Sequence, residues 1–377
     1  MEGKFMQHAT WFVTSRCNLA CRYCFTRFNP DFPAQDSTLE VGKAVVDLVL
    51  ASSTMPQVGI SFFGGEPLLR FDLMREVVEY AETQAAKARK TFGFSVTTNG
   101  VLLDDEAIRW LKQKKVNLLL STDGMPHEFN QRVFPDGRPS APLVLEHALS
   151  VLEAGLQPVL RWSLHPEHLS YLATDLKALV RQGFDIIAVD PVYEAPWTER
   201  DLALYEEQLR EVGRFYVSCL RRGRRVTVKP IDDGFAMFTM DDKQKTRCGT
   251  AMHGVGVGTD GKIYPCHRYV TRMEPVIGDV FSGWDETALA KVQAWDVRKA
   301  QPASGESCAD CPVNLRCHGG ACLCVNLDMC GDIYTVPDIY CKLQRINQRV
   351  ANDVVFVLHA EKNPILMEKL KHPDLRT

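Results

Sequence analysis

The stretch "TSRCNLACRYCFTRF", residues 14–28, places Cys17, Cys21 and Cys24 within eight positions, and the next cysteine along the chain is Cys219. Three thiolates at C-x3-C-x2-C spacing on one loop can hold three irons of a cubane [4Fe–4S] cluster, a group ordinarily held by four cysteines. With three, one iron stays open to a substrate or cofactor. Two other readings stand beside this one: a three-cysteine zinc site completed from a distance, and a chance grouping of core cysteines. Arg16, Asn18 and Arg22 surround the thiols and speak against a core.

Outward from the loop, the chain repeats one unit. The apolar run at 10–14 leads into the cysteines, and similar runs follow at 58–63, 92–98, 116–122, 157–164 and 185–191. Helical patterns lie near 38–53, 71–90, 104–114, 141–154, 167–182 and 198–222. Strands alternating with helices predict βα units and a parallel sheet. Six units fit an α/β partial (β/α)6 barrel better than a closed eight-stranded one. Chemistry then belongs at the C-terminal ends of the strands, and those ends read "FFGGEP", "TTNG" and "STDG".

From about residue 240 the alternation stops, and cysteines and turn residues take over. That texture predicts a small domain held by metal, closed by a helical pattern near 341–360. The expected organisation is a core at 1–225, a cysteine-rich domain at 226–345 with a bridge at 226–247, and a helical tail at 346–377.

Composition excludes several classes. The balance of 44 basic against 47 acidic residues gives a net charge of −3, which is no footprint for nucleic acid. No stretch approaches the roughly 18–20 apolar residues of a membrane span. The N-terminus has no basic region followed by an apolar core, so the expected location is the cytoplasm. Thirteen cysteines in a reducing compartment point to metal ligation rather than a disulfide framework.

"CNLACRYCF" resembles the signature of the radical S-adenosylmethionine (SAM) enzymes, and "GGEP" at 64–67 resembles their second motif, which meets the SAM amino group. The resemblance implies the partial barrel and its chemistry. SAM chelates the open iron, one electron cleaves its sulfonium, and a 5′-deoxyadenosyl radical abstracts hydrogen from substrate. The electron would come from a flavodoxin- or ferredoxin-type donor. Gly64 and Gly65 would let backbone approach the ligand, and Glu66 would accept from the SAM ammonium. Asn99, Ser121, Asp123 and Arg132 would lie near the SAM ribose and carboxylate. Ordinary turn chemistry is the other reading of "NG" and "DG". Arg161 either lines the cavity or makes a structural ion pair. Cys219 falls on the apolar face of a helical pattern and reads as a core thiol. "RRGRR" at 221–225 reads as a solvated turn, or else as a contact for an acidic peptide.

The second half carries a second resemblance. Cys308-x2-Cys311-x5-Cys317 with a distant Cys341 resembles the SPASM extension, which binds two auxiliary [4Fe–4S] clusters. By that resemblance Cys308, Cys311, Cys317 and Cys341 hold the outer cluster. Cys248, Cys266 and a cysteine after Cys317 hold the inner one, with Cys248 and Cys266 brought together by a hairpin at Asp260-Gly261. Cys322 is the choice for the third ligand and Cys324 or Cys330 the alternatives, because "CHGGAC" departs from the usual spacing. In an extended segment Cys322 and Cys324 would point the same way. A zinc site remains the other reading of the C-x2-C pair.

"YPCHRY", residues 264–269, and "GDIYTVPDIYC", residues 331–341, look like the maturases of ribosomally made peptides. Sulfatase-maturating enzymes resemble the chain in layout, but by resemblance their base is an Asp where this chain has His267. The expected substrate is therefore a peptide or protein, modified by a thioether or carbon–carbon cross-link. A sulfatase-type maturase, a small-molecule oxidase and an iron–sulfur electron-transfer or sensor protein are the rivals. Only 16 residues precede Cys17, so a leader would be read by the enzyme body or by a separate leader-binding protein.

Overall fold

The computed structural model describes residues 6–27, 29–239, 250–251, 254–314, 317 and 322–371. Every strand expected from the first half forms: β1 (His8–Thr14), β2 (Gln57–Gly64), β3 (Thr91–Thr98), β4 (Asn117–Thr122), β5 (Val159–Leu164) and β6 (Ile186–Pro191). So do the helices α1 (Leu39–Ala51), α2 (Phe71–Ala88), α3 (Asp105–Gln113), α4 (Ala141–Glu153), α5 (Leu172–Gln182) and α6 (Glu199–Arg221). Local chemistry sets their ends. Thr38 and Asp104 accept from the first-turn amides of α1 and α3, and Thr198 with Asp201 forms a capping box on α6. The result is the mixed α/β fold with a parallel sheet core that the alternation predicts.

The chain packs as two compact units, interleaved along the sequence. The first draws its described residues from 1–121, 132–156 and 249–295. Its strands run in the order β4-β3-β2-β1 and continue through β8 (Gly254–Val257), β9 (Lys262–Tyr264), β10 (Gly278–Asp279) and β11 (Gly283–Trp284). The expected hairpin is present as β8 and β9, antiparallel, with Gly261 at φ +88° in its turn. Its first strand also pairs in parallel with β1, His8 opposite Gly254. Residues 254–295 thus extend the sheet that carries the first cysteine loop.

The second unit draws its described residues from 122–131, 157–248 and 296–377. It holds β5, β6 and β7 (Thr227–Lys229), all parallel. One continuous helix, Asp338–Ala360, runs through the point where the tail was expected to begin. It packs on α6: Tyr205 donates to Asn347 Oδ1 at 2.8 Å, and a Cβ on Gly213 would touch Val350 and Val354. In "RRGRR", Arg221, Arg224 and Arg225 pair with Glu361, Asp185 and Glu368, so these charges serve the fold. Cys219 is buried, as its helical position predicts. Among the described residues, no helix is long and apolar enough to cross a membrane.

A buried network fastens the C-terminal helix Pro364–Lys371. Lys369 Nζ donates to Val226 O at 2.7 Å and to Asp232 Oδ1, and Tyr216 and the Val228 amide also donate to Asp232. Burial pushes the Asp232 carboxyl up, and the Lys369 charge opposes it. Removing one partner strands a buried charge, so Lys369→Met should cost about 3–5 kcal/mol in denaturant unfolding. Adding Asp232→Asn to it should recover part of that loss. Equal midpoints for wild type and Lys369→Met would show that the pair contributes nothing.

Candidate functional site

The three-thiol loop lies in the first unit, between the end of β1 and α1. It rests on the "GGEP" turn through backbone bonds: the Gly65 amide donates to Thr14 O at 2.8 Å and the Glu66 amide to Arg16 O at 2.9 Å. Gly64 has φ +130°, and a Cβ there would lie 2.0 Å from Thr14 O. Only glycine permits that approach. The loop is further held from β3, where Asn99 Nδ2 donates to Asn18 Oδ1 at 2.8 Å and points toward Cys17 Sγ at 3.7 Å. The Leu19 amide donates to Cys17 Sγ, and Cys24 Sγ lies 3.0 Å from Thr26 Oγ1. Arg132 reaches Cys21 Sγ at 4.0 Å and covers the Tyr23 ring.

Cys17 is exposed as a residue, yet its thiol is shielded enough that desolvation pushes it up to about 11, with Glu66, Cys21 and Cys24 adding to the rise. Three thiols on one loop make a soft donor set that would bind iron as thiolates, with release of their protons on binding. The donor set and the backbone cradle fit a three-cysteine cubane site.

Glu66 is fully buried, and its carboxylate ties the site together. Oε1 accepts from the Leu68 amide at 3.1 Å and from Thr98 Oγ1 at 2.7 Å, and Oε2 accepts from the Asn99 amide at 2.7 Å. Burial raises its pKa, and those three donors and Arg132 oppose the rise. The sequence predicts a contact with the SAM ammonium; the structure adds that this carboxylate already joins "GGEP" to "TTNG". A carboxylate offers about four acceptor positions, so among the described residues one stays open on Oε2. Glu66→Gln puts an amide donor opposite a backbone or hydroxyl donor. It should weaken SAM binding about ten- to a hundredfold, the value of a charge-assisted bond, as equilibrium dialysis would show. Unchanged affinity would reduce Glu66 to a turn residue.

Ser121, at the end of β4, is also buried in this unit. Cys266 follows β9, and His267 opens the helix His267–Arg272. The His267 ring packs 5.1 Å from Phe63 and 6.3 Å from Phe25, the residues beside Gly64 and Cys24. The structure therefore brings His267 to the same place as the cysteine loop and the "GGEP" turn. Cys248 lies outside the described residues.

In the second unit, Asp123 accepts from the Gln131 amide at 3.0 Å, and Arg161 pairs with Asp190 at 2.8 Å, the ion-pair reading of that residue. Cys308, Cys311, Cys317 and Cys341 all line one cavity of about 130 Å³, with Tyr340, Val336 and Ala300 among its apolar walls. Among the described residues, no three His, Cys, Asp or Glu side chains converge on a single metal ion. Four thiols spread around a cavity suit a larger group, such as a cubane, better than one zinc. Cys322 is the N-cap residue of the helix Leu323–Cys330, and burial, then Tyr193, Cys317, Cys322 and Cys341, push the Tyr340 hydroxyl well above its usual range. Cys324 does not point the same way as Cys322 along an extended segment. It lies in the first turn of that helix, buried, with Sγ 3.8 Å from Asp328 Oδ2. Asn18, Arg345 and the Tyr193–Tyr340 ring pair at 5.3 Å also shape these sites; no spacing signal in the sequence marks them.

Residues 11–160 match the radical SAM superfamily. The chain is 30% identical over 237 residues to a probable GTP 3′,8-cyclase of Methanopyrus kandleri, covering 58% of this chain and 72% of that one. It is 31% identical over 144 residues to the serine-type anaerobic sulfatase-maturating enzyme of Bacteroides thetaiotaomicron, a match spanning 36% of this chain and only a third, 33%, of that enzyme's length. Its fold overlays that of anSMEcpe with bound AdoMet at a TM-score of 0.80 and 20% identity, covering 97% of this chain and 98% of the other. The same protein with AdoMet and a Cp18Cys peptide overlays at a TM-score of 0.75, with 20% identity over 97% and 98% of the two chains.

Proposed function

The chain belongs to the radical SAM superfamily, and from that premise we propose that it is a radical SAM/SPASM enzyme that cleaves SAM reductively and oxidatively modifies a peptide or protein, forming a thioether or carbon–carbon cross-link. The observation that carries the proposal is the single cavity lined by Cys308, Cys311, Cys317 and Cys341 in a chain that also has the three-thiol loop. The first site would hold the SAM-binding cluster through Cys17, Cys21 and Cys24. The cavity would hold one auxiliary cluster, and Cys248, Cys266 and Cys322 would serve a second. When bound, these groups supply the one-electron chemistry and the acceptor for a substrate hydrogen.

The chain's own residues do the rest. Gly64 and Gly65 bring backbone against the ligand, and Glu66 fixes the turn that receives the SAM ammonium. Asn99, Ser121, Asp123 and Arg132 orient the ribose and carboxylate. His267, held by Phe25 and Phe63, takes the proton that a substrate must shed when it loses two electrons. A flavodoxin- or ferredoxin-type protein would be the donor, and a leader would be read by the enzyme or a separate binding protein. The peptide-bound anSMEcpe fold supports a peptide substrate. It also supports a second reading, sulfatase-type maturation, against which His267 in place of Asp speaks.

The test is anaerobic reconstitution followed by iron counting and a SAM cleavage assay with candidate peptides. Three full cubanes need about twelve irons per chain, and reduction should release 5′-deoxyadenosine. Iron near four per chain would sink the auxiliary-cluster assignment. Turnover of GTP but of no peptide would move the substrate to a small molecule.

A further inference from the structure

We propose that the Arg345–Glu306 ion pair sets the reduction potential of the group held by Cys308, Cys311, Cys317 and Cys341, with Arg345 raising it and Glu306 limiting the rise; this rests on the auxiliary-cluster reading above.

Cys341 and Arg345 stand one turn apart on the helix Asp338–Ala360, so their side chains share a face. Arg345 lines the same cavity as the four thiols. Burial pushes the Cys308 and Cys341 thiols up, and the nearby Arg345 charge opposes that rise. One cation therefore lines the cavity of all four thiols. Its Nε–H is buried and meets no acceptor among the described residues. A guanidinium is a rigid, permanently charged fork of donors, and a thiolate or sulfide is an acceptor that suits it.

Glu306 pairs with Arg345 Nη2 from the segment that leads into Cys308, and its side chain is 56% exposed. Glu306 neutralises part of the guanidinium charge, and solvent screens the rest from that side. Asp338 stands three residues before Cys341 on the same helix. It is engaged by the Ser304 amide at 2.9 Å and leaves Arg345 to Glu306.

Charge and hydrogen bonds at the sulfurs set the potential of such a group. Reduction adds one electron, supplied here by the reductant, and hence one negative charge next to Arg345. The cation stabilises the reduced form, and removing it makes reduction harder. Removing Glu306 leaves the cation uncompensated and makes reduction easier. The pair also staples two ligand-bearing segments together, but a staple alone predicts losses in the same direction from either side. Opposite shifts identify tuning.

The experiment is a mediated potentiometric titration of the reconstituted full chain, followed by electron paramagnetic resonance, with iron counted in each sample. The relevant signal is the one lost in Cys308→Ala. Arg345→Gln should keep its iron and shift the one-electron equilibrium about tenfold toward the oxidised form, a fall of ~59 mV. Glu306→Gln should shift it the other way. Full iron with unchanged midpoints, or shifts of the same sign, overturns the proposal. Should Arg345→Gln lose iron, Glu306→Gln, which alters no group touching a thiol, decides alone: an unshifted midpoint there overturns it. Wild-type protein whose only iron is that removed by Cys17→Ala, Cys21→Ala and Cys24→Ala together would sink the auxiliary-cluster reading and this proposal with it.

Discussion

Gly65→Ala is expected to lower SAM cleavage by about a hundredfold or more and to deplete the iron of the three-thiol loop. A Cβ on Gly65 would sit 2.1 Å from Arg16 O, 2.5 Å from Arg16 C and 2.7 Å from Ser15 O. All three are backbone atoms, so no side chain can rotate aside. Arg16 precedes Cys17, and the displaced strand end is the one that positions the cysteines. A misplacement of about 1 Å in a reacting constellation can cost a hundredfold, and this contact is short by more than that. Gly93→Ala is the control, since the nearest atom to its Cβ would be 3.8 Å away, and it should behave as wild type. Normal iron content and normal 5′-deoxyadenosine release from Gly65→Ala would mean that the "GGEP" turn does not cradle the cysteine loop.

That contact shows what a sequence can and cannot carry. The cysteine spacing, the strand ends and nearly all helix limits of the first half were legible because they rest on local signals: period-2 and period-3.6 apolarity, caps and Gly turns. Cys308, Cys311, Cys317 and Cys341, which the spacing groups together, line one cavity. The hairpin at Asp260-Gly261 was readable from its turn dipeptide. Its parallel pairing with β1 was not, since nothing in four residues of "GVGV" names a partner some 245 positions away. For the same reason the texture change near 240 reads as the start of a separate domain, while residues 254–295 pack with the first sheet.

Three residues illustrate the other limit. Glu66 is recognisable as part of a motif, but its bonds to Thr98 and Asn99 depend on β2 and β3 lying side by side. Cys324 looks equivalent to Cys322 by spacing in an extended segment. Once Cys322 becomes a helix cap, two residues amount to roughly 200° of rotation, and Cys324 turns into the core. Arg345 carried no motif at all. It acquires meaning only when its helix is set beside the segment of Cys308 and Cys311.

His267→Phe is expected to cut substrate turnover by about 10²–10⁴, the usual contribution of a positioned acid or base, with little change in the substrate's KM. The replacement is chosen for its shape. His267 packs at 5.1 Å and 57° against Phe63 and at 6.3 Å and 74° against Phe25, and Arg268 covers Phe25 at 5.3 Å. A phenyl ring keeps those ring contacts, while both nitrogens that take or give a proton are gone. The ring contacts matter to the argument because they fix the imidazole next to the neighbours of Cys24 and Gly64, where a substrate bond would be oxidised. A substrate that gives up two electrons there must also lose a proton, and imidazole is the side chain whose unperturbed charge change lies nearest pH 7. The loss should therefore appear in kcat, with SAM cleavage in the absence of peptide as the comparison, and His267→Ala should add a stability defect that His267→Phe lacks. Wild-type turnover by His267→Phe would assign the ring to packing alone and leave the proton acceptor to be sought on another strand end.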